Sequence, residues 1–105
     1  GAQLDTLLRL RREAAYGEQI DYFDDYNIIG WTRLGEEDRP GSGCAVILTD
    51  GPGGSKTMCM GARFAGCTFR DALGNQKQTI VLDESGSAAF CVGGGSVSVW
   101  VPDVR

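Results

Sequence analysis

The chain has 105 residues, with 10 basic and 14 acidic side chains, a net charge of −4 and no histidine. One domain with a core of its own fits that length. An acidic balance whose basic residues cluster only at Arg9, Arg11 and Arg12 argues against nucleic acid as a partner, and no apolar run reaches the length of a membrane span. Without an imidazole, these residues hold no histidine triad, histidine general base or histidine metal ligand.

Leu4, Leu7 and Leu8 recur at helical spacing, with Ala14 and Ala15 further along the same side and Arg9, Arg12 and Glu13 away from it. Gly17 is a natural helix stop. Residues 3–16 are therefore predicted as one amphipathic helix whose leucine stripe needs a cover. The opening GAQLDTLLRL carries Asp5 and no basic leader, so it does not read as a signal peptide. The compartment stays open between secreted and cytoplasmic. From Glu18 the pattern changes: Ile20, Tyr22 and Asp24 alternate with Asp21, Phe23 and Asp25. Residues 28–33 read as a short strand with Trp31 turned to the core, and residues 36–41 form a polar loop.

Residues 42–61 are the centre of the pattern. Cys44, Val46 and Leu48 share one face and Ala45, Ile47 and Thr49 the other, both mostly apolar, which predicts a central strand. Asp50-Gly51-Pro52-Gly53-Gly54 then turns the chain, and residues 56–60 are expected to return as its hairpin partner. The run GPGGSKT imitates a phosphate-binding loop, but Asp50 and Ser55 occupy the two positions that loop needs as glycine, and no helix follows. Further strands are expected at 67–70, 78–83, 88–92 and 96–101, separated by turn signals at Gly66, Leu73-Gly74-Asn75, Asp83 to Gly86, and Gly93-Gly94-Gly95. About eight short strands with short turns predict a mainly β, antiparallel sandwich or barrel preceded by one N-terminal α-helix.

Cys44, Cys59, Cys67 and Cys91 contain no C-x-x-C, and free thiols packed as small apolar residues are the plainer expectation. Asp21, Asp24, Asp25 and Asp50 are the candidates for a glycosidase carboxylate pair, set against the simpler reading of a solvated face or turn cap. With Asn27 they are also hard oxygen donors of the kind calcium uses, although no twelve-residue calcium loop is present. Trp100 shares its strand face with Ser96 and Ser98, opposite Val97, Val99 and Val101. That more polar side allows stacking on a sugar ring, while contact with core or a neighbouring domain is the stronger alternative. No activating base stands ready for a cysteine or serine nucleophile.

Several motifs taken together carry a resemblance. They are Tyr16-Gly17-Glu18-Gln19, Asp21-Tyr22-Phe23-Asp24, Gly30-Trp31-Thr32-Arg33, ILTDGPGGSK over 47–56, Asp71 with Gly74-Asn75, and Gly94-Gly95-Ser96-Val97-Ser98-Val99. In this order and spacing the chain resembles, over nearly its whole length, the C-terminal portion of α-amylases of the liquefying Bacillus type and their fungal relatives, in glycoside hydrolase family thirteen. The resemblance implies that residues 1–17 are the last helix of a (β/α)8 barrel absent from this chain. Residues 18–105 would be the appended antiparallel, Greek-key β-sandwich.

It further implies a parent enzyme that hydrolyses internal α-1,4-glucosidic bonds of starch with retention, through barrel carboxylates lying before Gly1. The chain itself is then expected to be a non-catalytic domain, inactive alone, with the barrel as its partner. The alternative is a stand-alone module for starch or maltooligosaccharide, with Trp100, Tyr22 and Tyr26 stacking on glucose. Some relatives bind calcium between barrel and C-terminal domain, at positions matching the Tyr26 carbonyl, Asn27 and Asp50, with two carbonyls from the barrel. Asn27 stands where an aspartate is expected, which removes a charge, so calcium is expected only in a full-length parent. Ser87, followed by Ala88, stands where relatives carry tryptophan in a Gly-Trp-Gly turn; Gly93 replaces an asparagine; the cysteines are not family features. Because a barrel would cover the stripe at Leu4, Leu7 and Leu8, the isolated chain is expected to expose it, fray there or self-associate.

Overall fold

The computed structural model describes residues 17–22, 28–36 and 42–103. The helix expected over 3–16, and Tyr26 and Asn27, lie outside the described residues. Among the described residues, eight strands follow in order: β1 (Gln19–Tyr22), β2 (Ile29–Arg33), β3 (Cys44–Leu48), β4 (Gly54–Cys59), β5 (Thr68–Asp71), β6 (Thr79–Val81), β7 (Ser87–Val92) and β8 (Val97–Pro102). A 3₁₀ turn at Ala62–Phe64 joins β4 to β5. Every pairing is antiparallel, in a six-stranded sheet of order β1-β2-β3-β8-β5-β6 and a two-stranded sheet of β4 and β7. The predicted mainly β, antiparallel, sandwich-like architecture of about eight strands is what the chain forms.

β3 lies inside the large sheet, as its two apolar faces require, with four of its five residues buried. Its expected hairpin with β4 does not form. β3 pairs with β2 on one side and β8 on the other, while β4 leaves for the second sheet and pairs with β7 from Gly54↔Val92 to Cys59↔Ser87. With both edges of β3 occupied, the turn at 50–54 serves as a passage between sheets. Its glycines permit the backbone approach this needs: a Cβ on Gly53 would lie 2.7 Å from the Val92 carbonyl oxygen and 2.8 Å from the Gly94 nitrogen. The Gly95 N–H donates to the Gly51 carbonyl across the same junction at 2.9 Å.

The core lies between the sheets. Ala45, Ile47, Phe69 and Trp100 of the large sheet meet Met58, Phe90 and Val92 of the small one, with Met60, Phe64 and Leu82 closing the ends. Phe64, Phe69, Phe90 and Trp100 form a continuous aromatic row with successive centroids 5.6, 6.1 and 6.3 Å apart, the first two contacts edge-to-face. A second cluster occupies the opposite face of the large sheet: Cys44, Val46, Val99 and Val101 are buried there, with Trp31, Leu48 and Val97 partly buried beside them. Trp31 thus reaches an apolar cluster, though on the outer face.

One turn extends the pairing of β4 with β7 beyond the far end of the small sheet. Gly86 has φ +82°, a conformation side-chain-bearing residues rarely adopt, and its carbonyl accepts from the Met60 N–H at 2.7 Å. A Cβ there would fall 1.8 Å from the Gly61 carbonyl oxygen. Gly86→Ala is expected to destabilise the domain by about 2 kcal/mol, the sum of backbone strain and displacement of the 60–61 segment. A lowered thermal midpoint by circular dichroism checks it; an unchanged midpoint would show that the turn relaxes freely.

Candidate functional site

Of the residues expected to touch sugar, Trp100 and Tyr22 are ties between the two sheets, and Tyr26 lies outside the described residues. Trp100 is fully buried, so neither face of its indole meets solvent: it makes the core contact that was the stronger alternative, and sugar stacking is not open to it. Its Nε1–H donates to the Cys91 carbonyl at 3.0 Å, joining β8 of one sheet to β7 of the other. The serine side of β8 is the core side because Ser98, Ala45 and Gly30 are small. Ala45 lies directly opposite Trp100, and Ser98 and Gly30 flank Ile47 on the next rung, leaving volume for the large ring. Tyr22 is half-buried against the same core, and its phenolic oxygen accepts from the Cys59 N–H at 3.1 Å, a second tie between sheets.

The candidate carboxylates do not converge among the described residues. Asp21 is exposed on edge strand β1 and accepts from the Gln19 side-chain amide at 2.8 Å. Asp50 is exposed in the turn after β3, while Asp24 and Asp25 lie outside the described residues. That turn sits beside the chain entering β2: Ile29 pairs with Leu48, and a Cβ on Gly54 would lie 2.9 Å from Ile28 Cδ1. Thr49 Oγ1 accepts from the Gly51 N–H at 3.1 Å and shapes the bend that presents Asp50. No group of three cysteine, histidine or acidic side chains among the described residues is placed to hold a metal ion.

The acid that matters most structurally is Asp71, only 6% exposed. Its Oδ1 accepts from the Leu73 and Val99 N–H groups, each at 3.0 Å, and its Oδ2 from the Gln76 N–H at 2.9 Å. Nearby, the Asn75 amide donates to the Val97 carbonyl at 2.8 Å, and Gly74, at φ +75°, lets the turn close on Asp71. The pattern of an aspartate ending a strand before Leu-Gly-Asn marked a turn in the sequence; it did not mark an acid folded inward to hold a neighbouring strand.

Cys44 and Asp83 have displaced proton equilibria. Burial pushes the Cys44 thiol up to about 11, against the opposing pull of the Arg33 guanidinium, so this sulfur is a packing group rather than a nucleophile. All four cysteines are free. Asp83 is held below the ordinary carboxylate value by hydrogen bonds from the Ser85 hydroxyl and from the Ser87 and Ser85 N–H groups. A carboxyl with a lowered folded-state value contributes stability that is complete above its unfolded value, about 3.9, and disappears as pH falls through the folded one. The gap in thermal midpoint between the native chain and Asp83→Asn is therefore expected at pH 6 and should close in strongly acidic solution. A gap that widened on acidification would contradict the assignment.

Comparison with known proteins fits this framework. A family model described as Alpha-amylase C-terminal matches residues 45–101, from the second residue of β3 to the last but one of β8. The chain is 52% identical over 101 residues to an α-amylase of Geobacillus stearothermophilus, covering 96% of this chain and 18% of that protein. It is 47% identical over 100 residues to a glucan 1,4-α-maltohexaosidase of Bacillus sp. strain 707, covering 95% of this chain and 19% of the relative. A cytoplasmic α-amylase of Escherichia coli K12 is 43% identical over 99 residues, 94% of this chain and 20% of its own length. The chain thus spans about a fifth of the length of the curated relatives it matches. On the matched strands and on these relatives together, the chain belongs to the α-amylase C-terminal domain family.

Proposed function

We propose that this chain is the non-catalytic C-terminal domain of an α-amylase, packing against a (β/α)8 barrel and stabilising it while the barrel hydrolyses internal α-1,4-glucosidic bonds of starch. The observation that carries the reading is the use made of the buried acid. Both oxygens of Asp71 accept from backbone N–H groups, which makes it a holding group rather than half of the carboxylate pair that glycoside cleavage needs. The relatives support it too, since they bear hydrolase names and extend far beyond the matched fifth. On this reading residues 1–17 are the last helix of the barrel and residues 18–105 a Greek-key sandwich. The position of β8 between β3 and β5 supports that connectivity.

Calcium belongs to this reading only in part. The described residues offer Asp50 as a single carboxylate, where calcium takes about six to eight oxygens. On this reading the chain alone would bind no calcium. Asp50 would contribute only in company with the Tyr26 carbonyl, Asn27 and carbonyls of a barrel.

The direct test is the purified chain on soluble starch, with no reducing sugar expected above the blank; release of sugar would overturn the assignment. In a protein carrying both barrel and domain, removing residues 18–105 is expected to lower the melting temperature without altering the bond cleaved. Titration with maltohexaose, followed by amide chemical shifts, separates the alternative of a stand-alone glucan-binding module. No shift is expected at millimolar sugar.

A further inference from the structure

We propose that Asp50–Gly51 is a modification site, the bond at which this chain forms isoaspartate, and that the Thr49 hydroxyl holds the reaction in check. Asp50-Gly51 is the single Asp-Gly pair in the sequence, and no Asn-Gly occurs. Asp50 is exposed, so water reaches its carboxyl. A glycine in the next position has no Cβ to obstruct a ring that closes on its nitrogen. In the first step the Gly51 nitrogen attacks Cγ of the protonated Asp50 carboxyl. A C–N bond forms, the Cγ–OH bond breaks, and the hydroxyl leaves with the amide proton as water. Water then reopens the cyclic imide at either carbonyl. Breaking the new C–N bond restores aspartate; breaking the original peptide bond sends the backbone through Cβ and Cγ, as isoaspartate. Nothing is oxidised or reduced, and the mass of the chain returns to its starting value.

The structure opposes this step at the nucleophile. The Gly51 N–H donates to Thr49 Oγ1 at 3.1 Å, and the Gly51 carbonyl accepts from the Gly95 N–H at 2.9 Å. To attack, the Gly51 nitrogen must turn toward the Asp50 carboxyl and give up its proton. A neutral hydroxyl accepts a hydrogen bond but is too weak a base to take that proton, so the bond to Thr49 has to break first. Thr49 itself is firmly placed: it is 5% exposed, and its N–H donates to the Ser96 carbonyl at 3.1 Å. Gly51 is thus clamped from the end of β3 on one side and from the 93–95 turn on the other. Ring closure needs the reacting atoms in near-attack geometry, which this clamp yields only when the bend opens locally.

The position makes the reaction matter to the domain. The turn at 50–54 is the passage from β3 in the large sheet to β4 in the small one. Isoaspartate adds one atom to the backbone just before Gly53, where even a Cβ would lie 2.7 Å from the Val92 carbonyl oxygen. The lengthened turn would push against the 92–94 backbone and part Gly51 from Gly95. A hydroxyl that slows the first step therefore protects the junction between the sheets.

Prolonged incubation of the purified chain at mildly acidic pH, followed by peptide mapping that resolves isoaspartate from aspartate, tests the proposal. Isoaspartate is expected at Asp50, about tenfold faster in the same chain unfolded by concentrated urea. Isoaspartate only at other aspartates, or equal rates in the folded and unfolded chain, would overturn it. Thr49→Val keeps the side-chain shape and deletes the acceptor, and it is expected to speed the folded-state reaction about fivefold. Thr49→Ser should keep the native rate. Gly86→Ala, which loosens the opposite end of the sandwich, should keep it too and so separates loss of the hydroxyl from loss of stability at large. An unchanged rate in folded Thr49→Val, or an equal acceleration in Thr49→Ser or Gly86→Ala, would sink the role given to Thr49. Should Thr49→Val fail to fold, Thr49→Ala supplies the same reading, and the comparison of folded with unfolded chain needs no variant.

Discussion

Asp71→Ala is expected to lower the unfolding free energy by about 3 kcal/mol, read as a smaller urea midpoint with an unchanged slope. The carboxylate accepts from the N–H groups of Leu73, Gln76 and Val99, and alanine would leave these donors without it. Each buried donor stripped of its acceptor costs about 1–3 kcal/mol, partly recovered where water enters at the turn. Bonds to a charged acceptor are also stronger than neutral ones. The Val99 donor is the expensive one, because it belongs to β8 in the middle of the large sheet. Asp71→Asn should cost roughly half as much, since one oxygen still serves two donors while the amide nitrogen meets the third N–H head-on. Equal losses in the two variants would mean that charge, rather than acceptor count, carries the effect.

Much of this architecture is legible in the sequence, because strand periodicity is local. Cys44, Val46 and Leu48 alternate with Ala45, Ile47 and Thr49, both sets apolar, and β3 lies inside its sheet as a strand apolar on both faces must. Pairing is another matter. The residues at 50–54 specify a tight turn, and that chemistry is silent on whether the emerging strand stays in the sheet or crosses to another. The deciding contact is between Gly53 and the Val92 to Gly94 backbone, some forty positions away in the chain, and a local reading has no access to it.

The candidate site divides along the same line. Asp50 is where a turn residue should be, exposed at a bend that Thr49 shapes. For Trp100 the sequence leaves sugar stacking open beside the stronger alternative of core contact, because Ser96 and Ser98 make its side of the strand look wet. Serine is small as well as polar, and Ser98 is completely buried with its hydroxyl unpartnered. Size decided the face, since the aromatic row from Phe64 to Trp100 needs small residues beside it. The role of Asp71 was hidden for a related reason. Its partner Val99 is 28 positions away, so the turn motif was visible and the strand it secures was not.

Trp100→Ala should produce the larger loss, about 4 kcal/mol, because it empties the end of the aromatic row and removes the indole bond to the Cys91 carbonyl. Trp100→Phe separates these two contributions. It keeps most of the ring volume against Phe90 but leaves the carbonyl without its donor, and about 1–2 kcal/mol is expected from that variant alone. Position adds a second readout. Trp100 pairs directly with Asp71 across β5 and β8, and the Asp71 carboxylate holds the residue before it, Val99. Contacting residues of this kind do not add independently, so the Asp71→Ala, Trp100→Ala double variant should lose about 1 kcal/mol less than the sum of its parents. Strict additivity in urea denaturation would mean that the inter-sheet tie and the β5–β8 tie act separately, and that each sheet holds its register without the other.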